Sequence, residues 1–123
     1  MNKKITLDSN ILIYLHDKDK KEKAKTASEL MTFSPGISSQ VMSEYCNVLR
    51  KRFKYSKSEL INICNFILGT CTLLPVDTST FKLAFDLIPK YDFQFFDGIV
   101  VAAALENKFD KLYSEDFQYN QVI

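Results

Sequence analysis

The segment 96–107 constrains this chain more than any other. From Ile99 to Leu105 it reads Ile-Val-Val-Ala-Ala-Ala-Leu, and a helix with no polar face must be enclosed by other elements on every side. A central helix over 96–107 is therefore predicted, with the rest of the chain wrapped around it. The run falls far short of the ~20 residues needed to cross a bilayer, and the other apolar run, Ile11 to Leu15, is shorter still. Near the N-terminus Asp8 interrupts the first apolar stretch, so no secretory h-region forms there and a cytoplasmic location is expected.

With 123 residues, one α/β domain is expected that buries about two-thirds of its unfolded surface. That core needs neither a disulfide nor a structural metal. Apolar residues make up 46% and charged residues 25% of the chain, which excludes intrinsic disorder. The three cysteines, Cys46, Cys64 and Cys71, show neither a CxxC pair nor zinc spacing, so they read as buried free thiols. His16 is the only histidine, which argues against His-rich metal sites and a Ser-His-Asp triad.

Strand and helix signals alternate along the chain. Residues 4–7 read as a strand, followed by the helix-capping run Asp8-Ser9-Asn10 and the apolar start of a helix. Helices follow over 20–33, 40–52 and 57–68, the last with Leu60, Ile61, Cys64, Ile67 and Leu68 as its inner stripe and Gly69 as its stop. Short strands are predicted at 36–38 and 111–113, and a buried one at 71–76. A helix capped by Asp77 or Thr78 is expected to end at Pro89. This order implies a short parallel sheet covered on both faces.

Four acidic residues stand out against that framework. Asp8 follows the first strand directly, and ligands of open parallel sheets bind beyond the carboxyl ends of the strands. Glu44 falls at the rim of an apolar helical stripe, between the angular positions of Val48 and Asn47. Asp97 is the only charge in the central helix from Phe96 to Leu105. Asp116 follows the last strand and is expected at the same edge as Asp8. Each has an ordinary reading as a cap, a dipole partner or a solvated residue. Together they imply a carboxylate cluster whose mutual repulsion calls for a cation. Oxygen donors without His or Cys select hard ions such as Mg²⁺ or Mn²⁺, which suit phosphodiester hydrolysis.

The order of these residues resembles the four motifs of the PIN-domain ribonucleases, most nearly the VapC-type toxins of bacterial toxin–antitoxin pairs. The likeness rests on Leu7-Asp8-Ser9-Asn10-Ile11-Leu12, Ser43-Glu44, Phe96-Asp97-Gly98 with the Ala-rich helix behind it, and Ser114-Glu115-Asp116-Phe117. It implies a three-layer α/β/α domain that cuts RNA. By that resemblance Asp8, Glu44, Asp97 and Asp116 are the catalytic acids and the ligands of Mg²⁺ or Mn²⁺, with Asn10 and Ser114 supporting them. A homodimer and a cognate antitoxin partner are implied as well. Family members usually continue into a final edge strand, which this sequence lacks or shortens.

A net charge of +1 rules out RNA binding by bulk charge. A local phosphate-contacting edge is instead expected at Arg50, Lys51, Arg52 and Lys54, with 18–25 as a second basic stretch. Other functional classes fit less well. A phospho-acceptor receiver domain needs a second acid beside Asp8, where Ser9 stands. An aspartate-nucleophile phosphatase needs one at position 10, where Asn10 stands. The remaining rival is a non-catalytic PIN-like module that binds RNA or protein.

Overall fold

Strands of three residues cannot persist alone, so their pairing and the helices above them have to supply the stability. The computed structural model describes residues 4–114. In it β1 (Ile5–Leu7), β2 (Gly36–Ser38), β3 (Thr72–Leu74) and β4 (Lys111–Tyr113) form one parallel sheet in the order β3-β2-β1-β4. The helices are α1 (Ser9–Tyr14), α2 (Lys21–Met31), α3 (Ser39–Lys51), α4 (Lys57–Thr70), α5 (Thr78–Tyr91) and α6 (Phe95–Glu106). One apolar cluster joins α1, α2, α3 and α4 to the central strands through Ile5, Leu7, Leu12, Ile37, Tyr45 and Leu49. The second gathers Ala84, Leu87, Ile99, Val101 and Ala102 from α5 and α6, with Leu112 of β4 packed against both. This is the three-layer α/β/α arrangement.

The central helix is where its composition demands. Gly98 through Ala104 are all buried, and Val100 reaches the first cluster while its neighbours belong to the second. Gly98 is required by close approach, since a Cβ there would lie 2.4 Å from Ile88 Cγ1. The missing side chain lets α5 and α6 meet.

Helix starts follow their capping residues. Ser38 accepts from Val41 N–H at the head of α3, Ser56 and Glu59 form a reciprocal box on α4, and Asp77 with Thr80 does the same on α5. Several expected boundaries and stripes need correction. α4 continues through Gly69, and α5 continues through Pro89 to stop at Asp92 in the left-handed region (φ 57°). Proline in a last turn forfeits one bond in a ladder that is about to end. β3 is an edge strand, with Thr72 and Leu73 exposed, rather than a buried one. Because α4 packs mainly on α3 and this edge, its buried side is narrow. Ile61 and Leu68 are exposed, while Leu60, Ile63, Cys64 and Ile67 face inward. The cysteines are half-buried free thiols, with Cys46 and Cys64 sulfurs 3.0 Å apart between α3 and α4.

Beyond the end of α1, His16 ties that helix to α3. Its ring bonds the Tyr45 hydroxyl through Nε2 (2.5 Å) and the Tyr55 hydroxyl through Nδ1 (3.1 Å). Next to it Arg52 reaches the buried Asp17 at 3.2 Å. Desolvation holds the His16 pKa below its ordinary 6.5, so the unfolded chain takes up the proton first. Stability is accordingly retained above pH 6.5 and lost as pH falls through the folded value. The thermal midpoint should drop between pH 7 and 5 in the native sequence and be flatter over that interval in His16→Gln; equal slopes would contradict this. Gly98→Ala should destabilise by about 1–3 kcal/mol in urea unfolding, with Ile88→Ala in the same chain recovering part of the loss.

Candidate active site

The carboxyl edge of the sheet collects its side chains by chain geometry. β1 ends at Leu7, so Asp8 emerges at that edge, and Asp8 accepts from Ser9 N–H at 2.7 Å as the N-cap of α1. Its own N–H donates to the Tyr113 carbonyl at 3.0 Å, which continues the β1–β4 pairing by one residue. The second carboxylate oxygen accepts from Ser114 Oγ at 2.8 Å. Asp8 is only 2% exposed. A carboxylate this enclosed needs donors on both oxygens, and the residues after β1 and β4 supply them.

Glu44 arrives from a different element. α3 begins immediately after β2, so its first turns rise from the same sheet edge. Glu44 lies in the second turn, half-buried, and accepts a short hydrogen bond from Ser9 Oγ. Ser9 Oγ is also 3.5 Å from Asp8 Oδ1. Two carboxylates 36 residues apart in the chain thus meet around one hydroxyl.

Asp97 sits in the first turn of α6 and is half-buried. α6 leads through a short connection into β4, which runs parallel to β1. The helix start therefore returns to the edge that carries Asp8. Asn10 lies in the first turn of α1, also half-buried. Asp116 lies outside the described residues. Among the described residues no group of three or more His, Cys, Asp or Glu side chains is arranged to hold a metal ion. What converges is the pair Asp8 and Glu44, with Asp97 placed at the same edge by topology. Their donor chemistry, carboxylate and hydroxyl oxygens alone, fits a hard divalent ion.

The basic residues lie further off. Arg50 is about 9 Å beyond Glu44 along the α3 axis, at 1.5 Å per residue. It bonds Asn47 Oδ1 at 3.1 Å, and Arg52 is engaged by Asp17 and the Phe53 ring. Arg50, Lys51, Arg52 and Lys54 are all exposed. Tyr45 is fully buried and unable to stack on a base. The sequence reading missed Ser9. Its signal was a hydroxyl at a first helical position that Asp8 already caps.

The fold is an α/β/α domain with two carboxylates meeting beyond the carboxyl end of a central strand. The PIN domain family model matches residues 5–122, and the chain belongs to the PIN-domain family. Among solved structures it is similar to a toxin-antitoxin complex from Klebsiella pneumoniae (TM-score 0.71, 17% identity, covering 94% of this chain and 88% of that one). It is also similar to VapC20 of Mycobacterium tuberculosis, described as a sarcin-ricin loop cleaving toxin (TM-score 0.71, 16% identity, 94% and 91% covered). No curated protein matches the sequence significantly.

Ser114→Ala should cost about 1–3 kcal/mol of stability, because it withdraws a donor from a buried carboxylate. Chemical denaturation checks this, and an unchanged midpoint would mean that the hydroxyl does not support Asp8.

Proposed function

We propose that this protein is a divalent-metal-dependent endoribonuclease, the toxin of a toxin–antitoxin pair, formed by a single PIN domain over 1–123. The meeting of Asp8 and Glu44 around Ser9 at the carboxyl edge of the sheet carries the reading. Membership of the PIN family supports nuclease chemistry, and the two similar structures support the toxin role.

In this reading Asp8, Glu44 and Asp97, with Asp116, hold Mg²⁺ or Mn²⁺. Held there, such an ion would supply activation of water and charge compensation for the phosphodiester. Asp8 has little freedom, because Ser9 N–H and Ser114 Oγ fix both of its oxygens. Glu44 either joins the ligand set or orients the attacking water. Asn10 and Ser114 keep the first turn of α1 and the end of β4 in register with Asp8. Hydrolysis with water as the attacking group leaves 5′-phosphate and 3′-hydroxyl ends, because the RNA 2′-hydroxyl takes no part.

Four acids would repel an RNA backbone, so the exposed Arg50, Lys51, Arg52 and Lys54 serve as its phosphate contacts. A second copy of the chain and a cognate antitoxin complete the assembly in the cytoplasm. The exposed Phe66, Phe85 and Phe95 provide apolar surface of the kind such partners cover. No helix among the described residues is long and apolar enough to cross a membrane.

Asp8→Asn and Asp97→Asn should each abolish cleavage of single-stranded RNA while circular dichroism stays native. EDTA should stop the native enzyme, with Mg²⁺ or Mn²⁺ restoring it. Cleavage that persists in EDTA, or in both variants, would overturn the proposal, and a folded protein that never cuts RNA would leave the non-catalytic module.

A further inference from the structure

We infer that Ser9 is a positioning residue that holds the Glu44 carboxylate against Asp8. The inference rests on the metal-binding reading of those two acids. Ser9 is 1% exposed and stands at the first helical position of α1. Its backbone N–H already completes the Asp8 cap at 2.7 Å, so the helix start has no need of its hydroxyl. Ser38 at the head of α3 shows the contrast, because its hydroxyl accepts from Val41 N–H and is itself the cap. The Ser9 side chain therefore serves something other than α1.

The hydroxyl carries one proton, and two carboxylates are near it. Asp8 Oδ1 lies 3.5 Å away, at the limit of a hydrogen bond, and is already served by the Ser9 N–H. Glu44 Oε1 lies much closer and accepts the hydrogen bond that the hydroxyl donates. One residue thus fixes both acids by separate groups, Asp8 through its main chain and Glu44 through its side chain. Glu44 extends from α3 on several rotatable bonds, and among the described residues the Ser9 hydroxyl is the group that holds its carboxylate. Removing the hydroxyl frees Glu44 and leaves the Asp8 cap intact, so the ion loses a preset ligand without loss of the fold.

The test measures Mn²⁺ affinity from the electron paramagnetic resonance signal of free Mn²⁺, with no turnover involved. Ser9→Ala should weaken binding about 10-fold, the lower range for residues that orient metal ligands. Ser9→Thr, which keeps the hydroxyl, should restore it. In a Glu44→Gln background Ser9→Ala should add no further loss, a coupling that a purely structural serine would not produce. Native affinity in Ser9→Ala beside weakened binding in Glu44→Gln would overturn this inference alone. Additive losses in the double variant would also overturn it, because Ser9 would then act through some other group. Native affinity in Glu44→Gln would overturn the ligand role of Glu44 itself, and this inference with it. Should Ser9→Ala fail to fold, Ser9→Cys keeps the shape with a weaker donor and must show the same coupled loss.

Discussion

The rest of the site depends on how the Asp8 carboxylate is enclosed. It is nearly inaccessible at the end of β1, where an unpaired charge would cost several kcal/mol. Two donors make it tolerable, the Ser9 N–H and the Ser114 hydroxyl, while a third connection, the main-chain bond from Asp8 to Tyr113, holds the residue in place. Each also binds together separate parts of the fold. The first starts α1, the second closes the chain after β4 onto β1, and the third extends the pairing of those strands. A residue fixed in this way is poorly suited to swinging and well suited to presenting oxygen atoms at a constant place.

The other acids reach that place by ordinary α/β geometry. α3 leaves β2 at the carboxyl edge and carries Glu44 there, while α6 runs toward β4 and so begins at the same edge with Asp97. The bare Cα of Gly98, next to Asp97 in the chain, lets α6 settle against Ile88 of α5. Stability and function share residues here, since the contacts that close the sheet also order the carboxylates.

Most of this architecture was legible in the sequence because it rests on strong local signals. The all-apolar run 99–105 required a central position, the Asp8-Ser9-Asn10 run and Asp77 or Thr78 marked helix starts, and the strands at 36–38 and 111–113 lie where expected. The failures have physical causes. Helical spacing in α4 identifies apolar residues but cannot say how wide a surface will cover them, and at the sheet margin only a narrow stripe is covered, leaving Ile61 and Leu68 outside. β3 reads as buried from its residue types and becomes an edge strand through its place in the sheet. Ser9 escaped notice because its importance depends on Glu44, which is brought to it only by folding. Asp116 belongs to the same motif logic but lies outside the described residues.

The central claim is that Asp8 and Glu44, with Asp97, share one hard divalent ion at the carboxyl edge of the sheet. A crystal of the native protein grown with Mn²⁺ and measured at the manganese absorption edge tests it directly. The account predicts an anomalous peak within about 2.5 Å of carboxylate oxygens of both Asp8 and Glu44, in octahedral oxygen coordination. A peak held by other residues, or fully loaded crystals with none at this edge, would contradict it.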